Sequence, residues 1–256
     1  MKQKISIITI VYNNKECIAE CIKSILKQKN SNLEYIVIDG GSTDGTLEAI
    51  EPYKSELACY ISEKDSGLYN ALNKGIRNAT GDIIGILHSD DLLYADTTLS
   101  EICTTFESTN ADLVYAKGVY VAKNNANKIR RLYASSGFNK NRLYFGWIPL
   151  HTTIYVRRAV FEQYGLYDES FKIASDYEIS LRWFTNEKIK KVYLNRIVVK
   201  MRFGGKSTTP GLQGLKSSED YRIIKQYKLW GFITLGCKIA RKIPQYIQPL
   251  FGLYRT

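Results

Sequence analysis

Between Lys4 and Phe106 the chain switches repeatedly between two hydrophobic periods, and that alternation limits its fold more than any other feature. Lys4 to Val11 is a β-branched apolar run, Lys15 to Gln28 places Ile18, Ile22 and Ile25 at helical spacing, and Leu33 to Ile38 is strand-like again. The cycle continues with a strand over Leu57 to Ser62, a helix over Leu68 to Asn78, a strand over Asp82 to Leu87 and a helix over Thr97 to Phe106. Strands alternating with helices across short connections make a parallel sheet covered on both faces, and such sheets bind ligands beyond the carboxyl ends of their strands. The conspicuous polar residues fall at those ends: Asn13 and Asn14, Asp39, Asp65, and the pair Asp90 and Asp91.

Beyond about residue 110 the pattern changes. Asp112 to Ala122 and Lys128 to Ala134 read as an antiparallel pair across a turn containing Asn124, Asn125 and Asn127, and His151 to Val156 reads as a further strand. A helix over Ser175 to Phe184 and strands over Ile189 to Leu194 and Val198 to Phe203 follow. With no internal repeat and no Pro- or Ser-rich linker, one α/β unit with a mixed second half is expected.

The composition, 45% hydrophobic and 24% charged over 256 residues, is that of a globular protein with a sizeable core. No apolar run approaches the roughly eighteen residues of a membrane-spanning helix, and Ile5 to Val11 is too short and strand-like for a signal peptide, so a cytoplasmic location is expected. Five cysteines, none in a Cys-x-x-Cys pair, and only two histidines argue against a zinc site and for reduced, buried thiols. The net charge of +11 fits nucleic acid, anionic lipid or a phosphorylated substrate. No DNA- or RNA-recognition motif is present, so no nucleic-acid partner is expected.

Two stretches carry chemistry. "ILHSDD" (Ile86 to Asp91) ends an apolar strand in adjacent carboxylates, which suit a hard divalent cation bridging to phosphate oxygens better than a cap for a following helix. "IDGGSTDGT" (Ile38 to Thr46) supplies a carboxylate at a strand end, glycines that admit a close ligand, and Ser42 or Thr43 as a helix cap. It is neither the G-x-G-x-x-G dinucleotide loop nor a G-x-x-x-x-G-K-[ST] phosphate loop.

Taken in order with "SIITIVYNN" and "EKDSGLYNALNKGIRNATGD", these stretches resemble the inverting family 2 glycosyltransferases with the GT-A fold, which transfer sugars from nucleotide diphosphates. The match runs over roughly residues 4 to 207, and "HTTIYVRRAVFEQYGLYDESF" and "ASDYEISLRW" look like the acceptor half. The resemblance implies a Rossmann-like, mostly parallel sheet with helices on both faces, smaller antiparallel acceptor-side elements and C-terminal amphipathic helices. Residues 1–210 would form the catalytic domain, 1–110 holding the nucleotide sugar and 111–210 the acceptor, with a basic helical extension over 211–256. Thr9, Val11 and Tyr12 would wall the nucleotide pocket, Asp39 would meet the base, and Asp65 would lie near base and ribose. Asn70 and Lys74 would face the donor, Asp90 the ribose or metal shell, and Asp91 would coordinate Mg²⁺ or Mn²⁺. Asp176 occupies the position of the catalytic aspartate, the base that takes the acceptor proton in a single in-line displacement. His151 would hydrogen-bond the acceptor, and "RFGGKST", with Arg202 and Lys206, would close over the diphosphate.

The chain departs from the family at Gly40 and His88, where a carboxylate is common, which leaves the base contact to Asp39 and the metal shell to Asp90 and Asp91. Ile179 replaces the glutamine of the processive Q-x-x-R-W signature, implying one sugar per acceptor, a glycan or polyprenyl-linked glycan. A nucleotide-sugar-binding module without catalysis is the alternative. In the tail, eight Lys and Arg from Lys216 onward face only Glu219 and Asp220. A helical wheel over Phe232 to Ile243 puts Phe232, Leu235, Ile239 and Ile243 on one face and Lys238, Arg241 and Lys242 on the other. With Trp230, Tyr246 and Phe251 at headgroup depth, that helix is expected to meet an anionic membrane at the inner face of the plasma membrane.

Overall fold

The computed structural model describes residues 3–29, 32–204 and 210–247. Its strands are β1 (Ile5–Val11), β2 (Leu33–Asp39), β3 (Cys59–Ser62), β4 (Ile83–Ile86), β5 (Leu92–Leu93), β6 (Leu113–Ala122), β7 (Asn125–Tyr133), β8 (Ile154–Arg157) and β9 (Lys191–Arg202). They form one sheet in the order β3-β2-β1-β4-β8-β6-β9-β5, with β7 paired to β6. The helices are α1 (Ile18–Leu26), α2 (Thr46–Ile50), α3 (Leu68–Asn78), α4 (Thr98–Thr109), α5 (Asn141–Tyr144), α6 (Arg158–Tyr164), α7 (Ser175–Thr185), α8 (Gln213–Gln226), α9 (Phe232–Ala240) and α10 (Lys242–Ile247).

The expected parallel half is present. β1 runs parallel to β2 with Val11 opposite Asp39, and parallel to β4 with Ile8 opposite Ile86. Because side chains alternate along a strand, Ile5 and Ile7 of β1 join α1 and α4 in one core, while Ile8 and Ile10 join α3 and α7 in the other. Each fully buried isoleucine contributes about 1.5–3 kcal/mol relative to exposure. The helix faces were legible for the same reason: Ile18, Ile22 and Ile25 are all wholly buried.

The second half differs from expectation in three places. Ile189–Leu194 and Val198–Phe203 are not two strands but one, β9, whose exposed Asn195 and Arg196 fall at a shift of register against β6 between Tyr115 and Lys117. His151–Thr153 is a 3-10 turn before β8, because Thr153 returns both its N–H (2.9 Å) and its hydroxyl (2.7 Å) to the Leu150 carbonyl. The single tail helix breaks at Arg241 into α9 and α10, while α8 buries Ile223 and Ile224 completely in the core that holds α7.

Glycine is required where β4 meets β8. A Cβ on Gly85 would lie 2.4 Å from Cε1 of Tyr155, whose ring is itself wholly buried. Gly85→Ala is expected to cost about 1–3 kcal/mol by overpacking, read as a lower denaturant midpoint with unchanged slope. An unchanged midpoint would show that the Tyr155 ring moves aside freely.

Candidate active site

A cleft of about 780 Å³ opens at the carboxyl ends of β1 and β4, bounded by Val11, Tyr12, Gly40, Asp65, Tyr69, His88, Ser89, Asp90, His151, Asp176 and Arg202. The loops on its floor are tied to each other. Asn13 takes a left-handed conformation (φ 49°), donates its N–H to Ser42 Oγ (2.8 Å) and accepts from the Thr43 N–H (2.9 Å). Asn14 reaches across to Ser89 Oγ at 2.9 Å, joining the β1 and β4 loops. These asparagines stand out in the sequence only as polar residues at a strand end.

Several expected donor residues lie elsewhere. Thr9 is wholly buried under α1, where it accepts from the Tyr35 hydroxyl at 3.1 Å, because its side chain points to the opposite sheet face from the cleft. Asp39 is also wholly buried: its carboxylate accepts from the N–H groups of Gly41 and Ser42 and from the hydroxyls of Ser42 and Ser62. It shapes the glycine-rich loop and has no face on the cleft. Asp65 does, and its Oδ2 lies 2.5 Å from where a Cβ on Gly40 would be. Asn70 turns to Glu169 (3.0 Å) and Lys74 to Glu63 (2.5 Å), so both serve the outer side of α3.

The adjacent carboxylates divide their work. Asp90 faces the cleft, whereas Asp91 is 1% exposed and points inward, accepting from the Arg202 N–H at 3.3 Å. Burial and, after it, the Asp90 charge push the Asp91 pKa well above the usual carboxylate range. Asp91, expected to coordinate a cation, is thus turned away from the cleft that Asp90 faces, and β5 rather than a helix follows the pair. Arg202 is a strut: its guanidinium bonds the Asp90 carbonyl (3.1 Å) and the Glu20 carboxylate. Lys206 lies outside the described residues. Among the described residues no three His, Cys, Asp or Glu side chains converge as a metal cage.

The far wall brings the chain's histidines together. His88 Nε2 and His151 Nε2 are 2.8 Å apart, and His151 Nδ1 is 3.5 Å from Asp176 Oδ2. Burial, and more weakly His88, lower the His151 pKa to about 4, against the pull of Asp176; burial lowers that of His88 too. Both rings are thus neutral near pH 7. The arrangement in which each donor finds an acceptor has His88 donating to His151, and His151 donating to Asp176. Asp176 lies in the first turn of α7, 3.4 Å from the Tyr69 hydroxyl. Burial alone would raise its pKa, but His151, Lys216 and Lys238 outweigh it and hold the carboxylate below its ordinary range.

Glu219, which no sequence motif marks, holds that helix in place. From α8 it accepts the N–H groups of Lys172 (2.8 Å), Ile173 (3.0 Å) and Ala174 (3.0 Å), the donors just ahead of α7. The available signal was an acidic pair, Glu219 and Asp220, in an otherwise basic tail. Asp220 pairs with Lys238 at 2.7 Å, and Lys238 lies 3.3 Å from the Tyr177 ring centroid.

A parallel sheet with a polar cleft at its strand ends, closed by a second half that contributes a fixed carboxylate, is the arrangement of a GT-A transferase. The chain belongs to glycosyl transferase family 2, whose profile matches residues 6–165, and it is a glycosyltransferase. It is 30% identical over 209 residues to a PGL/p-HBAD biosynthesis glycosyltransferase of Mycobacterium bovis, covering 80% of this chain and 79% of that one. It is likewise 30% identical over 233 residues to an uncharacterised glycosyltransferase of Rickettsia prowazekii (86% and 72%). The fold resembles S. aureus TarS 1-349 in complex with UDP-GlcNAc, with TM-score 0.67 and 19% identity, over 88% of this chain and 65% of that one. It also resembles the mannosyltransferase PcManGT of Pyrobaculum calidifontis in complex with GDP-Man and Mn²⁺, with TM-score 0.61 and 17% identity, over 99% and 80%. The chain spans slightly under two thirds of the TarS fragment.

Removing the Glu219 carboxylate leaves three backbone donors unpaired near α7. Glu219→Ala is expected to cost about 2–4 kcal/mol and to lower kcat with little change in donor affinity, Glu219→Gln restoring part of both. Loss of donor binding with kcat intact would contradict this placement.

Proposed function

We propose that the chain transfers one sugar, with inversion, from a nucleotide-diphosphate sugar to a hydroxyl of a glycan or lipid-linked glycan, Asp176 acting as the base. The observation that carries this reading is Asp176 itself: a carboxylate kept ionised, oriented by Tyr69 and His151, across the cleft from Asp90. Inversion needs a proton acceptor on the face opposite the departing nucleotide, and the two walls provide that separation. Tyr12 and Asp65, which fills the space beside Gly40, take the place of Asp39 at the base and ribose of a donor read as a UDP-sugar.

Mg²⁺ or Mn²⁺ fits this donor set. Such a cation is commonly held by one or two carboxylates together with substrate phosphates and waters, and Asp90 is the carboxylate the β4 loop presents to the cleft. When bound it would neutralise charge on the diphosphate. Asp176→Asn keeps shape but cannot take a proton; turnover should fall about a hundredfold or more with donor affinity retained. Asp90→Asn should weaken nucleotide-diphosphate binding chiefly when Mn²⁺ is present. Unchanged turnover in the first variant, or equal donor loss with and without Mn²⁺ in the second, would refute the respective role.

The same reading places the enzyme in the cytoplasm, peripheral at the inner face of the plasma membrane through α9 and α10. Among the described residues no helix is long and apolar enough to cross a membrane. What supports the interfacial reading is that the tail is turned apolar side out. Phe232 is 73% exposed, Ile233 and Ile243 63% each, and Ile239 51%, while Lys238 faces inward to Asp220 and Leu235 packs on the core. The serine triple substitution at Phe232, Ile239 and Ile243 should abolish co-sedimentation with phosphatidylglycerol vesicles at low salt and leave the melting temperature near that of the parent. Equal sedimentation of both proteins would rule this surface out.

A further inference from the structure

A second cavity, of about 490 Å³, lies outside the donor cleft between the end of β7, α5 and the junction of α9 with α10. Its charged lining consists of two guanidiniums, Arg142 and Arg241, with Ser135, Ser136, Phe145 and Trp147 completing most of the wall, and among the described residues no acidic side chain faces it. Arg142 donates to Ser136 Oγ. No carboxylate among the described residues pairs with Arg241; burial and, opposing Tyr133, the neighbouring Arg142 lower its pKa. Ser135 is 7% exposed, and among the described residues its hydroxyl has no hydrogen-bond partner. Two like charges beside an unpaired buried hydroxyl form an incomplete polar site, which an anion with several acceptor oxygens would complete.

The wall is built in. Gly146 takes φ +67°, and a Cβ there would lie 2.6 Å from Lys238 Cα, so α9 packs directly on the turn that carries Phe145 and Trp147. Thr234 Oγ1 donates to the Tyr144 carbonyl at 2.7 Å, holding α9 to α5. At the mouth Phe145, 49% exposed, meets Trp230, 50% exposed, edge-on at 5.1 Å.

We propose that this cavity binds a phosphate group carried on an apolar chain, Arg142, Arg241 and Ser135 holding the phosphate while Phe145 and Trp230 receive the start of the chain. A guanidinium presents paired donors that match phosphate oxygens, and two of them offset a dianion. An apolar tail leaving along Phe145 and Trp230 runs over exposed aromatic surface. The ligand's role as acceptor rests on the transferase reading above; its binding rests on the cavity alone.

The test uses the full chain and farnesyl phosphate below its micelle concentration, with farnesol, inorganic phosphate and phosphatidylglycerol vesicles as separate arms, read by calorimetry and thermal shift. Farnesyl phosphate should bind saturably and raise the melting temperature, with farnesol and inorganic phosphate each at least about tenfold weaker. Arg241→Gln, which breaks no protein ion pair, should weaken farnesyl phosphate at least about tenfold and leave UDP affinity unchanged. Arg241→Lys should recover part of the loss. Farnesol binding as tightly as farnesyl phosphate, or indifference to Arg241→Gln, overturns the phosphate site. Inorganic phosphate binding as tightly as farnesyl phosphate overturns the apolar chain, and binding seen only with vesicles assigns the surface to bilayer headgroups and overturns a single-molecule site. Failure to bind UDP with Arg241-dependent farnesyl phosphate binding intact would sink the uridine-donor reading and leave the cavity assignment standing.

Discussion

The parallel pairing of β1 with β2 on one side and β4 on the other is the constraint from which the rest of the cleft follows. Register puts Val11 beside Asp39 and Ile8 beside Ile86, so the loops after β1, β2 and β4 emerge at one edge of the sheet. Parallel strands leave their connecting loops free of hairpin turns, and each loop here is fixed by side chains from its neighbours. Asn13 to Ser42, Asn14 to Ser89 and Asn14 to Thr46 are bonds between loops, so the floor is one connected piece. A slip of one residue in β1 would exchange its two faces and pull Val11 and the Asn13 turn out of place together.

The other wall is held by the end of the chain. Asp176 sits where α7 begins, and the backbone donors just before it are satisfied from α8 by Glu219. A helix start whose donors are fixed by a buried carboxylate moves less than one facing water, as the base proposed at Asp176 requires. Lys238 and Asp220, themselves paired, close the space behind Tyr177. Ile223 and Ile224 share the core of α7, which makes α8 part of the catalytic scaffold and leaves only the outer side of α9 and α10 for surface contacts.

The fold was legible in the sequence wherever burial imposed a period. Leu68 to Asn78 was readable to the residue because one helix face had to be apolar, and β1 to within one residue because both its faces are covered. The second half was less readable since its strands are interrupted by polar residues, and Asn195 and Arg196 look like a loop although β9 continues through them. At the site, the positions of Asp176 and Asp90 could be found from motifs, but which carboxylate faces the cleft could not: Asp90 and Asp91 are adjacent, and only the Arg202 backbone from a distant strand decides which is turned inward. Glu219 was out of reach for the same reason, because its three partners lie more than forty residues away in the chain.

The two departures from the family pattern have different consequences. Glycine at position 40 removes a side chain, and the vacated space is taken by the Asp65 carboxylate, so a negative charge is kept at that point of the cleft but delivered from the next loop. Histidine at position 88 replaces a potential charge with a neutral ring and adds a bond that a carboxylate facing the donor would not make, to His151 and through it toward Asp176. The first change moves a charge between loops. The second links the turn that presents Asp90 to the helix that carries Asp176, joining the two walls through two imidazole rings in hydrogen-bonding distance.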